Sequence, residues 1–352
     1  MMKYVFIATL IIGLSCDNKK GGGRDPAIGV SGKINIIMTP DQWDGPIGKT
    51  LDSLLTQEMT VLPRPESIFK IRHVDPEAVN ASMKRTRNLI FLFTLDDQSL
   101  KSETIKRMLT AESIRQLQQD TSLFMKSVPD VYARGQEVLY LFGPDEKTLL
   151  RNLRKNGQRI IDNFNFMERV RITKGLLNAT KTRNITEQIE KERQFTIKVP
   201  FGYRLADNQG DFVWLRQINP ADDKDIFIAR KKYTSQADFK KENLIQYRND
   251  ICRKYLFEDP EQDDTYLVTE TSVEDKAVET REFNFDGRYA VEMKGLWKTN
   301  INTMGGPFMG FAFVDEKKGY FYYIEGFTFC PSKDQREIMR ELECILYSFK
   351  TK

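Results

Sequence analysis

Histidine occurs once in the 352 residues, at His73, which excludes a multi-histidine zinc site and leaves any imidazole proton relay to that single side chain. The four cysteines, Cys16, Cys252, Cys330 and Cys344, have no CxxC spacing, so neither a zinc ribbon nor a thioredoxin-type motif is present. An excess of one charge is also missing. Lys plus Arg total 54 against 50 Asp plus Glu, a formal +4 spread over the chain rather than concentrated as in a nucleic-acid binder. Nucleic acid is therefore not an expected partner, and no motif calls for a metal or a cofactor. No internal repeat at a fixed period is visible. What is present is 40% hydrophobic and 30% charged sequence, long enough to bury two cores.

The first residues carry an address. Lys3 precedes an apolar run of ten residues, 5–14, followed by Ser15 and Cys16, which reads as a signal peptide over 1–15, too short to span a membrane as a finished helix. After Cys16 the sequence turns to Asp17, Asn18, two lysines and three glycines, so 16–32 reads as a solvated tether. A cysteine at that junction looks like a lipobox, in which the thiol receives a diacylglycerol and the acyl chains hold the protein on a membrane. Gly13 stands where lipoboxes usually carry Leu, and ordinary cleavage after Ser15 is the alternative. The other three cysteines allow at most one internal bridge, with Cys330 and Cys344 the pair able to meet; three buried thiols are the other reading.

Hydrophobic patterning predicts two domains of α+β class: an N-terminal mixed sheet with covering helices over 33–193, and a mainly antiparallel sheet with helices over 194–352. In the first, strands are expected at 33–39, 68–74, 88–95 and 138–142, with helices after Gly45-Pro46, over 102–125, and after Asp145. The run NLIFLF beginning at Asn88 has the continuous apolar character of a strand covered on both faces. In the second, strands are expected at 195–199, 212–217, 226–230, 266–271, 278–285, 289–299, 308–314 and 319–329. Asp286-Gly287 marks a hairpin turn, and helices cover 236–257 and 332–349, the last opened by Ser332.

Several groups are candidates for chemistry, each with a plainer account beside it. Trp297, Lys298, Met304, Gly305, Gly306 and Pro307 read as a wide turn between strands, where backbone N–H groups and Lys298 could cradle an anion; a hairpin whose glycines satisfy unusual dihedrals is the plainer account. Tyr320 and Tyr322 belong to an aromatic strand with one face expected in the core and the other accessible to a sugar, peptide or protein; burial under helices is the plainer account. Asp41 and Asp44 bracket Trp43 just after the first strand, the edge where open α/β sheets place ligands, and two carboxylates beside an aromatic suit a glycosidase. Asp44, however, is accounted for as a helix cap. The basic stretch 151–193 suits anionic lipid or an ordinary solvated helix face, and His73 reads as a turn residue.

The strand start GKIN at Gly32, RNLIF at Arg87, GLWK at Gly295, MGGPF at Met304 and the ending EGFTFCPSKDQRE with ELECIL resemble an uncharacterised family of Bacteroidetes lipoproteins, over nearly the whole of 32–349. The resemblance implies an envelope lipoprotein on the outer membrane. Only Asp17 supplies an acidic residue directly after Cys16, which favours the periplasmic face over surface display. It assigns no reaction, cofactor or catalytic residue. The expectation is thus a protein tied to the membrane through Cys16, a non-enzymatic binding or scaffold module for an envelope protein or glycan, with an envelope hydrolase using carboxylates as the alternative. Oligomeric state is not legible.

Overall fold

A computed structural model describes residues 23–352 apart from 111, 113, 116–118, 120–121, 178–182, 220–221, 260–261 and 275–276. The expected signal peptide and Cys16 lie outside the described residues, as do part of the tether and parts of the expected helix over 102–125. The chain divides into two compact units. One holds the described residues up to Gln57 together with Ser67–Glu168; the other holds Glu58–Glu66 and Arg169–Lys352. The division falls inside a long helix rather than near Arg193, because composition changes after that helix while packing changes along it. Among the described residues no helix is long and apolar enough to cross a membrane.

The first unit runs β1 (Lys33–Ile37), α1 (Pro40–Asp44), α2 (Pro46–Leu55), β2 (Lys70–Val74), α3 (Ala81–Lys84), β3 (Asn88–Thr94), α4 (Leu100–Lys106), β4 (Met125–Pro129), β5 (Glu137–Gly143), α5 (Glu146–Asn156) and, as far as Glu168, α6 (Gln158–Leu176). Its sheet has the order β2-β1-β3-β5-β4, parallel except for the antiparallel edge strand β4. Every residue of β3 and β5 is buried, as continuous apolar runs require when helices cover both faces. Ile34, Ile36, Leu92 and Leu139 face the helix residues Leu51, Leu55, Leu149 and Phe164, while Phe91, Phe93 and Tyr140 pack on the other side with Ile105. The strand β4 was not expected, since MKSVP is short and half-polar and begins only at the end of the helix expected over 102–125. Gly157 divides the predicted long helix into α5 and α6. Leu54 lies where a Cβ there would sit, at 2.8 Å.

The second unit adds α7 (Arg183–Arg193), β6 (Phe195–Thr196), β7 (Arg204–Gln209), β8 (Phe212–Gln217), β9 (Asp223–Lys232), α8 (Lys241–Tyr255), β10 (Phe257–Asp259), β11 (Gln262–Thr269), β12 (Glu279–Phe285), β13 (Arg288–Thr299), β14 (Gly305–Asp315), β15 (Tyr320–Phe329), α9 (Arg336–Leu346) and β16 (Lys350–Thr351). Nine strands form one antiparallel sheet, with β13, β14, β15 and β9 adjacent at its centre. Asp286 and Gly287 both take positive φ, which gives the expected tight turn. Alternation divides each central strand between two cores. Met309, Phe311, Phe313, Tyr322 and Ile324 share a core with Leu342 and Ile345 of α9 and with Phe349 after it. Phe308, Ala312, Phe321 and Tyr323 pack under α8 through Leu244, Ile251 and Cys252. The two domains are therefore α+β, the first a mixed sheet and the second mainly antiparallel.

Candidate functional site

The residues singled out around Trp297 are part of the sheet. Gly305, Gly306 and Pro307 lie in β14, opposite Lys298, Trp297 and Leu296, and neither glycine has positive φ. The wide turn and the anion cradle are thus corrected: the glycines serve close packing. A Cβ on Gly306 would meet the Thr328 carbonyl oxygen at 2.1 Å, in the space through which the Trp297 indole N–H donates to that oxygen at 3.2 Å. Trp297 is itself 3% exposed. Met304 packs against the same core, and Lys298 is held by Glu270 at 2.9 Å. Hydrogen bonds from Ser272, then from Lys298, pull the Glu270 carboxyl down to about 2.

The accessible tyrosine face is likewise corrected. Tyr322 is fully buried and stacks on Phe313, because Phe195 and Phe349 close over the face that alternation left open. Tyr320 is half-buried, with Arg230 and Lys232 over its ring. The opposite face holds a closed polar cluster. Arg248 donates from Nε and Nη2 to the two carboxylate oxygens of Glu325, each at 2.8 Å, and from Nη1 to Thr269 Oγ1 at 3.2 Å. The Tyr323 hydroxyl adds a bond of 2.6 Å to Glu325, and Tyr323 crosses the sheet where a Cβ on Gly310 would lie 2.3 Å from that hydroxyl. Arg248 and Glu325 have no exposed side-chain surface. Their hydrogen-bonding capacity is spent on each other, so the cluster is structural. Cys252, Cys330 and Cys344 are all buried. Burial pushes Cys252 and Cys344 up to about 12, which keeps them protonated and unreactive.

His73 is not in a turn. It is the fourth residue of β2, stacked on Trp43 at 5.0 Å, with Nε2 2.9 Å from the Met38 carbonyl oxygen. Of the basic stretch, Arg169 is paired to Glu343 and Arg193 is bonded to Asn208 and the Gly210 carbonyl.

The position that remains open is at the carboxyl ends of the parallel strands. The chain leaves β1 toward β2 on one side and has β3 on the other, which creates a topological switch point. A cleft of about 260 Å³ lies among the residues that follow these strands: Thr39, Asp41 and Gln42 after β1, Thr94, Asp96, Asp97 and Ser99 at and after β3, and Glu146 after β5. Thr39 and Ser99 cap α1 and α4, accepting from the Gln42 and Ser102 amides, and Asp145 caps α5, accepting from Thr148 at 2.7 Å. Lys106, almost buried, donates to the carbonyls of Leu95 and Asp97 and fixes the loop that carries Asp96. Lys101 bonds to Asp75, whose carboxyl this bond holds below its usual range. Asp44, the other half of the sequence pair, closes α1 and does not line the cleft. Asp96, Asp97 and Glu146 were missed by sequence reasoning; the signal was their common position just after buried strands.

Residues 27–177 match the family model described as Domain of unknown function (DUF8532), and residues 182–348 match Domain of unknown function (DUF4837). Each of the two parts is thus similar to a family described only as a domain of unknown function. No curated protein matches it. Among solved structures, the Ran-binding protein Mog1p of Saccharomyces cerevisiae aligns with 45% of this chain and 90% of its own, at 9% identity and a TM-score of 0.30. A point mutant of protein Mog1 aligns over the same shares at 10% identity and a TM-score of 0.29. Likeness of this degree says nothing about activity.

Proposed function

We propose that this chain is a lipid-anchored protein of the bacterial cell envelope, acylated at Cys16, on the periplasmic face of the outer membrane, and that it works without catalysis as a binding module for an envelope protein or glycan. The observation that carries the binding reading is the cleft at the switch point: hydroxyl, amide and carboxylate side chains line it, with no histidine, cysteine or lysine among them. The anchor rests on the charged, apolar and small-residue order of residues 1–16. The same four carboxylates favour a second reading, an envelope hydrolase using one as acid and one as base.

The test is made in cells. Metabolic labelling with an alkyne fatty acid should mark the protein and fail on Cys16→Ser, and crosslinking should recover one envelope partner in stoichiometric yield. Unlabelled wild-type protein found in the cytosol would end the anchoring reading. Glycan hydrolysis by the purified protein, abolished by Asp97→Asn, would replace the binding module with the hydrolase.

A further inference from the structure

We infer that the cleft of the first unit takes an organic cation rich in N–H donors, a guanidinium or ammonium group carried by a protein side chain or by a free polyamine. This rests on the binding reading above and names its ligand chemistry.

The charge of the lining sets the sign. Four carboxylates, from Asp41, Asp96, Asp97 and Glu146, surround the cleft, and no basic side chain lines it. Part of this has a local cause, since Asp41 and Glu146 stand in the first turns of α1 and α5, where acids offset the helix dipole. Three helices begin here and the Lys101 ammonium acts on Asp41; crediting each helix with the full half charge and Lys101 with a whole one still leaves the cleft at about −1.5. An anion gains little from these helix starts, because Thr39, Ser99 and Asp145 already accept from their amides.

A second observation points to a ligand. Gln42 lines the cleft and is 9% exposed. Its Nε2 donates to Thr94 Oγ1 at 3.4 Å, while its Oε1 is buried without a hydrogen-bond partner. A buried acceptor left unmet costs about 1–3 kcal/mol, so the fold retains it at a loss that a donor entering the cleft would remove. The partner that suits an amide oxygen beside a carboxylate-lined cleft is one that only donates, which describes ammonium and guanidinium. A bare metal ion suits the site less well. Among the described residues no three carboxylate, thiol or imidazole groups converge closely enough to share one. Acceptors spread around a cleft instead match a group whose several N–H bonds diverge.

Titration calorimetry on the purified full chain in detergent, at low salt, tests this with three probes: Nα-acetyl-arginine amide, spermidine and calcium chloride. Saturable binding of one equivalent of either organic cation is expected. The arginine derivative alone would indicate a protein side chain as the source, and spermidine alone a free polyamine. The variant Asp41→Asn/Asp96→Asn, altered at two exposed positions, should retain its circular dichroism and bind about tenfold more weakly or worse. Gln42→Met should weaken binding without altering the salt dependence. Binding of calcium with neither organic cation, or binding unchanged in the double variant, overturns the inference. Loss of binding in the titration while the in-cell crosslink persists removes this ligand class and leaves the binding module standing; loss of the crosslink while the titration holds does the reverse.

Discussion

The first unit gathers its polar side chains at the ends of its strands, and the second places several of them inside its sheet. In the first, the carboxylates of Asp41, Asp96 and Glu146 are exposed around a cleft that parallel topology opens, and Gln42 beneath them has an unmet acceptor. In the second, Arg248 and Glu325 are wholly buried and bond to each other, to Thr269 and to Tyr323. Parallel strands all end on one side, where the helices that follow must start, so polar and capping residues collect there. Antiparallel strands end on alternating sides, and no such edge accumulates. Polarity in the second unit is thus spent on holding one arrangement, whereas at the carboxyl ends of the first unit's strands it is left facing outward.

The largest effect expected from this contrast is at the buried pair. Arg248→Met leaves a carboxylate in a dry core and should destabilise the second unit by about 3–5 kcal/mol in urea unfolding. Arg248→Met with Glu325→Gln should recover much of that, since no charge remains unpaired. A single variant as stable as wild type would erase the distinction drawn between the units. Next comes Gly306→Ala, whose methyl group would collide with the Thr328 carbonyl and displace the Trp297 indole. A cost of about 1–3 kcal/mol with altered tryptophan fluorescence is expected.

Acidity gives a third, smaller test. Burial, opposed by Arg216 and the Trp214 N–H, raises Asp225 to about 6. The folded state then binds a proton that the unfolded state releases, so this carboxyl adds stability below about pH 4 that is lost as pH rises through about 6. The contribution is at most roughly 3 kcal/mol and should vanish in Asp225→Asn. Glu270 has the opposite sign. Its stability is present above the ordinary glutamate range and is lost as pH falls toward about 2. Glu270→Gln should flatten that acid limb. The smallest effect belongs to the cleft, where Asp96→Asn should leave unfolding of the first unit within about 0.5 kcal/mol of wild type, since an exposed carboxylate at the cleft supports no fold.

Much of the framework was legible because it follows from period and punctuation. Asn88–Thr94, Glu137–Gly143 and Phe212–Gln217 stand close to where apolar runs placed them, and Asp145 caps its helix as expected. What escaped had no local signal. Arg204–Gln209 is an edge strand of polar residues, and Met125–Pro129 looks no more like strand than helix. The final helix begins at Arg336 rather than Ser332. The carboxylate of Glu66, from a distant part of the chain, accepts the amides of Gln335 and Arg336 at 2.6 and 2.9 Å, supplying the cap that no neighbour provides. The aromatic strand was read as half-exposed because alternation tells which residues share a face and not whether a helix lies on it.

The sequence by itself determined the class of each unit, the central strands, the Asp286-Gly287 turn and the scarcity of histidine and cysteine chemistry, since these depend on side-chain periodicity and composition alone. Only the tertiary structure decided that Tyr322 is covered, that Gly306 makes room for Trp297, and that Asp41, Asp96, Asp97 and Glu146 surround one cleft. Those outcomes depend on which strands become neighbours and where a parallel sheet ends, and residues more than a hundred positions apart carry no mark of that meeting until the chain has closed.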